Sequence, residues 1–164
     1  MPDDRRVVVC NATPLIALSL IEQLHILQAL YQSILIPPAV REEVATGGTS
    51  GIGVAELESS EWIRVVQLRD PARAELLSDL DRGEAEVLAL ALELRAESVI
   101  IDEKLARRHA RRLGIPLTGT LGVLLRAKKK HLIGPIRPFV ERLRRGGIRL
   151  GEAVIEEALR LADE

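Results

Sequence analysis

The stretch SVIIDEKLARRHARRLGIPLTGT, residues 98–120, decides the fold. Ser98 to Ile101 is a short apolar, β-branched run and reads as a buried strand ending at Asp102. A helix from about Glu103 to Leu113 follows, Gly114 stops it, and a second short strand runs from Ile115 to Thr118. Two strands separated by a helix of that length cannot be a hairpin; they form a right-handed βαβ unit and lie parallel. A parallel sheet needs helices over both faces, so the expected class is α/β.

The rest of the chain repeats this grammar. Arg6 to Cys10 (RVVVC) is strand one, and Asn11-Ala12-Thr13-Pro14 opens a helix, with Asn11 or Thr13 as its cap and Pro14 in its first turn. A second helix covers about Ile21 to Tyr31, strand two runs from Ser33 to Ile36, and Pro37-Pro38 starts a helix through Val40, Glu43 and Val44. Trp62 to Val66 is a third strand. Asp81-Arg82-Gly83-Glu84 fits a capping box, and the helix after it, Ala85 to Leu94, is apolar on nearly every side and must be central. Helices near 120–130, 135–145 and 151–163 complete the chain. The expectation is one domain over residues 1–164, with a core at about 7–131, a parallel sheet of about four to five strands, and additional helices over 135–163.

Composition agrees with that class. The 164 residues are 47% apolar with one Phe, one Tyr and one Trp, so aliphatic side chains build the core. No apolar run approaches the roughly 20 residues that span a bilayer, so no membrane is expected. The opening Met1-Pro2-Asp3-Asp4-Arg5-Arg6 is unlike a signal peptide, and a lone Cys10 excludes an internal disulfide and a cysteine-rich zinc site. A cytoplasmic protein is the expectation. The net charge of −1 hides a strong asymmetry, because residues 101–150 carry 14 basic and 3 acidic side chains, for +11. That imbalance suggests a polyanionic partner for this segment.

Chemistry belongs at the carboxyl edge of a parallel sheet. Strands there end in Asn11, in Asp102 with Glu103, and in Thr118 with Thr120, while Glu43 and Glu84 sit on helices that start nearby. Each has an ordinary role: Asp102 and Glu84 suit caps, Glu43 a solvated face, Asn11 a turn. Convergence argues for more, because half-buried carboxylates at one edge repel one another unless a cation joins them. Hard oxygen ligands suit Mg²⁺ or Mn²⁺ rather than zinc. Lys104, Arg107, Arg108, Arg111 and Arg112 fall at i, i+3, i+4, i+7 and i+8, one cationic stripe on a helix, with Leu105, His109, Ala110 and Leu113 left to pack on the sheet. Arg126, Lys128, Lys129, Lys130 and His131 form a second cluster, and Arg142, Arg144, Arg145 and Arg149 a third. Such contacts hold phosphates without reading sequence, and the scarcity of aromatics argues against base stacking. The histidines suggest packing or surface roles, and Cys10, inside a buried strand, is expected to be inert.

Competing readings fit less well. The glycine-rich TGGTSGIG, residues 46–53, lacks the Gly-Lys-Ser/Thr ending of a P-loop. Cys10-Asn11 is not the acidic pair of a receiver domain, and Ile115 to Thr120 contains no lysine for one. Asn11 to Ile16 also lacks the glycines of a dinucleotide fingerprint.

VVVCNATPLIAL, PPAVREEV, RGEAEVLALAL, VIIDEKLARRHARRLGIPLTGTLGVLL and AKKKHLI together resemble PIN-like proteins related to VapC-type toxin ribonucleases, from about Val7 to His131. The resemblance implies a PIN-like α/β/α sandwich. It also implies a metal-binding and catalytic set of four at Asn11, Glu43, Glu84 and Asp102, with Thr13 as the small hydroxyl residue near the first. Two departures stand out. Asn11 replaces the expected Asp, and a further Asp after Asp102 is missing, where Glu103 is the acid at hand. The implied activity is Mg²⁺-dependent hydrolysis of RNA phosphodiesters by a homodimer, with an antitoxin protein as a further partner. The alternative is a PIN-fold module weakened by Asn11 that holds RNA or a partner protein.

Overall fold

A computed structural model describes residues 6–46 and 53–164; the glycine-rich stretch at 46–53 and the first five residues fall largely outside them. Five strands form one sheet: β1 (Val8–Cys10), β2 (Ile34–Ile36), β3 (Ile63–Val65), β4 (Ser98–Ile100) and β5 (Leu117–Thr118). Their order is β3-β2-β1-β4-β5 and every pairing is parallel. Val9 pairs with Leu35 on one side and Val99 on the other, which makes β1 the central strand and explains its continuous apolar run. Pairing reaches past the strand bounds, since Trp62 O accepts from Ile34 N and Thr118 O from Ile101 N, both at 2.9 Å.

The helices are α1 (Ala12–Leu20), α2 (His25–Tyr31), α3 (Pro38–Thr46), α4 (Val54–Ser59), α5 (Ala72–Glu75), α6 (Arg82–Leu94), α7 (Lys104–Arg112), α8 (Thr120–Lys129), α9 (Arg137–Arg145) and α10 (Glu152–Leu161). The protein is an α/β fold of PIN-like form, a parallel sheet flanked by helices. Helix α6 packs on β1 and β4 and touches α3, α5 and α7, whereas α8 gathers α1, α2 and α10. Gly83 to Ala85 and Val87 to Ala91 of α6 are buried, as its apolar sequence requires. Its end was illegible: Arg95 adopts the left-handed conformation (φ 51°) that glycine usually supplies. One continuous hydrophobic cluster joins the sheet to residues from α1 through α10.

Several local expectations are corrected. Ile21 belongs to the end of α1, and a turn with Glu22 at φ 58° separates it from α2. Asn11 occupies the cap position of α1 but its side chain makes no capping bond, and Thr13, inside the first turn, is exposed. The packing face of α7 is Ala106 and Ala110, with Leu105 half-buried; Leu113 is 39% exposed, because it lies just past the last turn of the helix. Of the apolar stripes on the last helices, Ile136, Val140, Leu143 and Ala158 are buried, whereas Val154 and Leu161 are each 57% exposed. Short α4 and α5 carry no strong periodic signal and were not anticipated.

Stability should follow this layout. Leu88→Ala, at a side chain with 0% exposure on α6, should cost about 2–5 kcal/mol in urea unfolding through lost burial and a residual cavity. Leu76→Ala, 83% exposed, should stay within about 0.5 kcal/mol. Equal losses at the two positions would contradict the placement of α6.

Candidate metal centre and nucleic-acid face

Sheet order reverses direction between β1 and β4, and their carboxyl ends carry Asn11 and Asp102. The chain leaves β1 with Asn11 N donating to Ile100 O at 3.0 Å, so the asparagine is locked against the neighbouring strand. Its side chain is 4% exposed, and Oδ1 has no hydrogen-bond partner. A buried carbonyl oxygen left in that state costs about 1–3 kcal/mol, so the site is short of a donor or a cation.

Gly83 shows what surrounds that oxygen. A Cβ there would lie 2.7 Å from Glu43 Oε2, 3.5 Å from Asp81 Oδ1 and 3.7 Å from Asn11 Oδ1. Three oxygens from β1, α3 and the start of α6 thus crowd a single glycine. Glu43 is half-buried, and its carboxyl is pushed above the ordinary glutamate range by burial and then by the charge of Asp81. Its neighbour Glu42 turns the other way, into a 3.0 Å ion pair with Arg82. The helix carrying both is tied down by Glu86, whose Oε2 accepts from Ala39 N at 2.9 Å.

Glu84 forms the anticipated capping box: Asp81 Oδ1 accepts from Glu84 N at 2.8 Å, and Glu84 Oε2 accepts from Asp81 N at 3.3 Å. Its side chain is only 8% exposed, and burial, then the Asp81 charge, push its carboxyl up to about 7, with Glu103 adding to the repulsion. Asp102 is held differently. Thr120 donates from both N (2.7 Å, to Oδ1) and Oγ1 (2.5 Å, to Oδ2), so the residue opening α8 orients the carboxylate that follows β4. Thr118 sits against Gly122, where a Cβ would strike its hydroxyl.

The four expected residues therefore share one edge, but only Asn11 and Glu43 meet at Gly83. Among the described residues no group of three or more His, Cys, Asp or Glu side chains is arranged to hold a metal ion. Asp102 is committed to Thr120 and Glu84 to Asp81, which keeps the carboxylates apart. Asp81 is the residue the sequence reading treated only as a cap; its place three residues before Glu84 was visible, its approach to Glu43 was not. The donor set, an unpartnered amide oxygen and repelling carboxylates, still fits a hard divalent cation.

The cationic stripe on α7 divides. Lys104, Arg108, Arg111 and Arg112 are exposed, but Arg107 folds back, with Nη1 donating to Ile101 O at 2.8 Å. A Cβ on Gly119 would lie 2.6 Å from Asp102 Oδ1 and 3.0 Å from Arg107 Nη1, which places the guanidinium beside the carboxylate. Burial, then the Arg111 charge, lower the Arg107 pKa, against the pull of Asp102. The other basic clusters are partly engaged: Lys128 pairs with Glu164, Arg142 with Glu22, Arg144 with Glu152 and Arg145 with Glu141, while Lys129, Lys130 and His131 are exposed. His109 is half-buried and bonded to Asp79 at 2.9 Å. Cys10 is fully buried, and burial, then Asp102, push its thiol up, so it stays protonated.

A family model described as PIN domain matches residues 7–164. The chain belongs to the PIN-domain family. Members of that family are generally metal-dependent nucleases. No curated protein matches the chain. Among the described residues no helix is long and apolar enough to cross a membrane.

The buried carboxyl yields a pH test without metal. Between the ordinary glutamate range and about pH 7 the unfolded chain has lost the Glu84 proton while the folded one keeps it, so stability falls as pH rises through that window. The loss should be on the order of 1–3 kcal/mol and complete above it. Glu84→Gln keeps the acceptor for Asp81 N, so in chelator it should melt several degrees above the parent at pH 8 and match it at pH 4.5. The same difference at both pH values would refute the shift.

Proposed function

We propose that the protein is a Mg²⁺- or Mn²⁺-dependent endoribonuclease that hydrolyses RNA phosphodiester bonds, acting as the toxin of a toxin–antitoxin pair. The observation carrying this reading is the buried, unpartnered Oδ1 of Asn11 among the oxygens of Glu43 and Asp81 at the sheet's switch point. Asn11, Glu43, Glu84 and Asp102 would hold the ion, with Asp81 beside them. When bound, such an ion acidifies and orients a water for in-line attack and neutralises charge on the phosphate. The chain's own groups do the rest. Thr120 fixes Asp102 through two hydrogen bonds. Glu84, its pKa raised by burial and by Asp81, is a carboxyl that an arriving cation would deprotonate and hold. Arg107, anchored by Nη1 to Ile101 O, keeps other N–H groups for a phosphate oxygen next to Asp102. Lys104, Arg108, Arg111 and Arg112 line the exposed side of α7 along which an RNA backbone can run.

A second reading, a catalytically weak PIN module that binds RNA or a partner protein, is favoured by Asn11 in place of Asp and by the separation of the carboxylates. Self-association as a homodimer belongs to both readings, and the exposed Val154 and Leu161 of α10 are the apolar side chains available for it. An antitoxin protein that covers the acidic edge belongs to the first.

Labelled RNA with and without Mg²⁺ or Mn²⁺ separates them. The parent should cleave only with metal, Asp102→Asn should lose at least about 100-fold in rate while still binding, and Asn11→Asp should cleave faster. A parent that never cleaves sinks the enzyme, and if Asn11→Asp then restores cleavage the protein is a decayed nuclease.

The divided stripe gives an independent test. Arg108→Ala with Arg111→Ala should weaken binding equally for all RNA sequences and flatten the salt dependence by about 0.7 log–log units per lost contact. Arg107→Ala should instead lower the cleavage rate with little change in that slope. Identical effects from the two variants would show that Arg107 is an ordinary member of the stripe.

A further inference from the structure

At the opposite, amino-terminal edge of the sheet lies a cavity of about 690 Å³ that no part of the nuclease reading uses. It is bounded by the starts of β1, β2 and β4, through Val8, Ser33 and Ser98, and by three arginines from separate parts of the chain, Arg6, Arg64 and Arg126. One acid, Glu97, shares the wall, and its Oε2 lies 3.8 Å from Arg6 Nε, a loose pair. The lining is therefore +2, in a protein whose whole chain is −1. Arg126 lies over the Tyr31 ring at 5.2 Å, a cation–π contact that fixes the position of one guanidinium.

The backbone adds a second, independent sign. Gln32, in the same wall, has φ 68° and ψ −51°, and Ser33 N donates to Tyr31 O at 2.8 Å. That is a γ-turn of the rare, strained kind, at a residue other than glycine. Strain of this sort persists where the surroundings over-determine it, and it clusters at ligand sites. Its effect here is to place the Tyr31 ring and the Ser33 hydroxyl in one wall, next to Arg126.

We propose that this cleft binds a small phosphomonoester of mononucleotide size. The volume lies within the usual range for a ligand pocket, about 300–1,000 Å³. Guanidinium forks match the oxygens of phosphate or carboxylate. A lining of +2 suits a phosphomonoester, at about −1.5 to −2 near pH 7, better than a single carboxylate. Ser33 and Ser98 are the neutral hydroxyl residues of the lining, and Tyr31, with Arg126 over its ring, is its aromatic side chain for a planar ring to meet. The cleft lies a strand's length from Asn11 and Asp102, so its ligand is not the bond cut at the acidic edge.

Calorimetry on the full chain tests this, with adenosine 5′-monophosphate, inorganic phosphate, adenosine, acetate and a single-stranded RNA oligomer as probes. Adenosine 5′-monophosphate should bind, inorganic phosphate more weakly, and adenosine and acetate not at all. Arg64→Ala with Arg126→Ala should weaken the nucleotide at least ten-fold while the melting curve keeps its cooperative shape. A milder variant, Arg64→Gln, should lose several-fold. Asp102→Asn should leave this binding unchanged, which separates the cleft from the acidic edge. No binding by the parent at millimolar nucleotide overturns the proposal. So does binding that survives both arginine substitutions, or a requirement for the RNA oligomer with no affinity for the mononucleotide.

Discussion

Everything in this molecule is arranged around the burial of β1. Val8, Val9 and Cys10 are at 0–1% exposure, with parallel neighbours on both sides and helices over the sheet. A central strand in that position must pair every backbone group through β2 and β4, and parallel pairing forbids the short turns that would join them directly. Each return of the chain then requires a helix. All carboxyl ends fall on one edge, and the polar residues that end each strand are forced into one neighbourhood. The proposed metal edge follows from a constraint on backbone hydrogen bonds before any acid is considered.

Helix α6 converts that constraint into a site. Its apolar body is pinned between the sheet and its neighbours, so its first turn is delivered beside β1 with little freedom. There Asp81 and Glu84 satisfy the orphan backbone donors of the helix start, and Asp81 also repels both Glu84 and Glu43. Capping and electrostatic strain are one arrangement seen twice. The fold accepts it because the caps are local and the core is elsewhere. The proposed cation would relieve the repulsion and the unpartnered Asn11 oxygen together.

The two charged faces serve different ends. On α7 the exposed side chains are free for a polyanion because Ala106 and Ala110 provide the packing. In the last third of the chain Lys128, Arg142, Arg144, Arg145 and Arg160 are paired with acids, and Glu164 also accepts from Ile136 N and Arg137 N at the start of α9. Charge counted along the sequence therefore overstates the surface available to a ligand.

The sequence by itself determined the order of the five strands and the longer helices, the parallel sheet and the capping box at Asp81 and Glu84. Those features rest on local signals: β-branched runs, helix lengths, cap residues, a glycine stop. It also marked Asn11 and Asp102 as strand-ending polar residues, because strand ends are local too. Only the tertiary structure decided that Asp81 joins Glu43 and Asn11 around Gly83, that Asp102 is claimed by Thr120, and that Arg107 leaves the stripe to stand beside Asp102. Each depends on which side chain another element approaches within a few ångströms, and helical periodicity does not encode that. The strained turn at Gln32 and the left-handed end of α6 at Arg95 were equally illegible. Neither residue type announces a positive φ, and packing from distant segments imposes it.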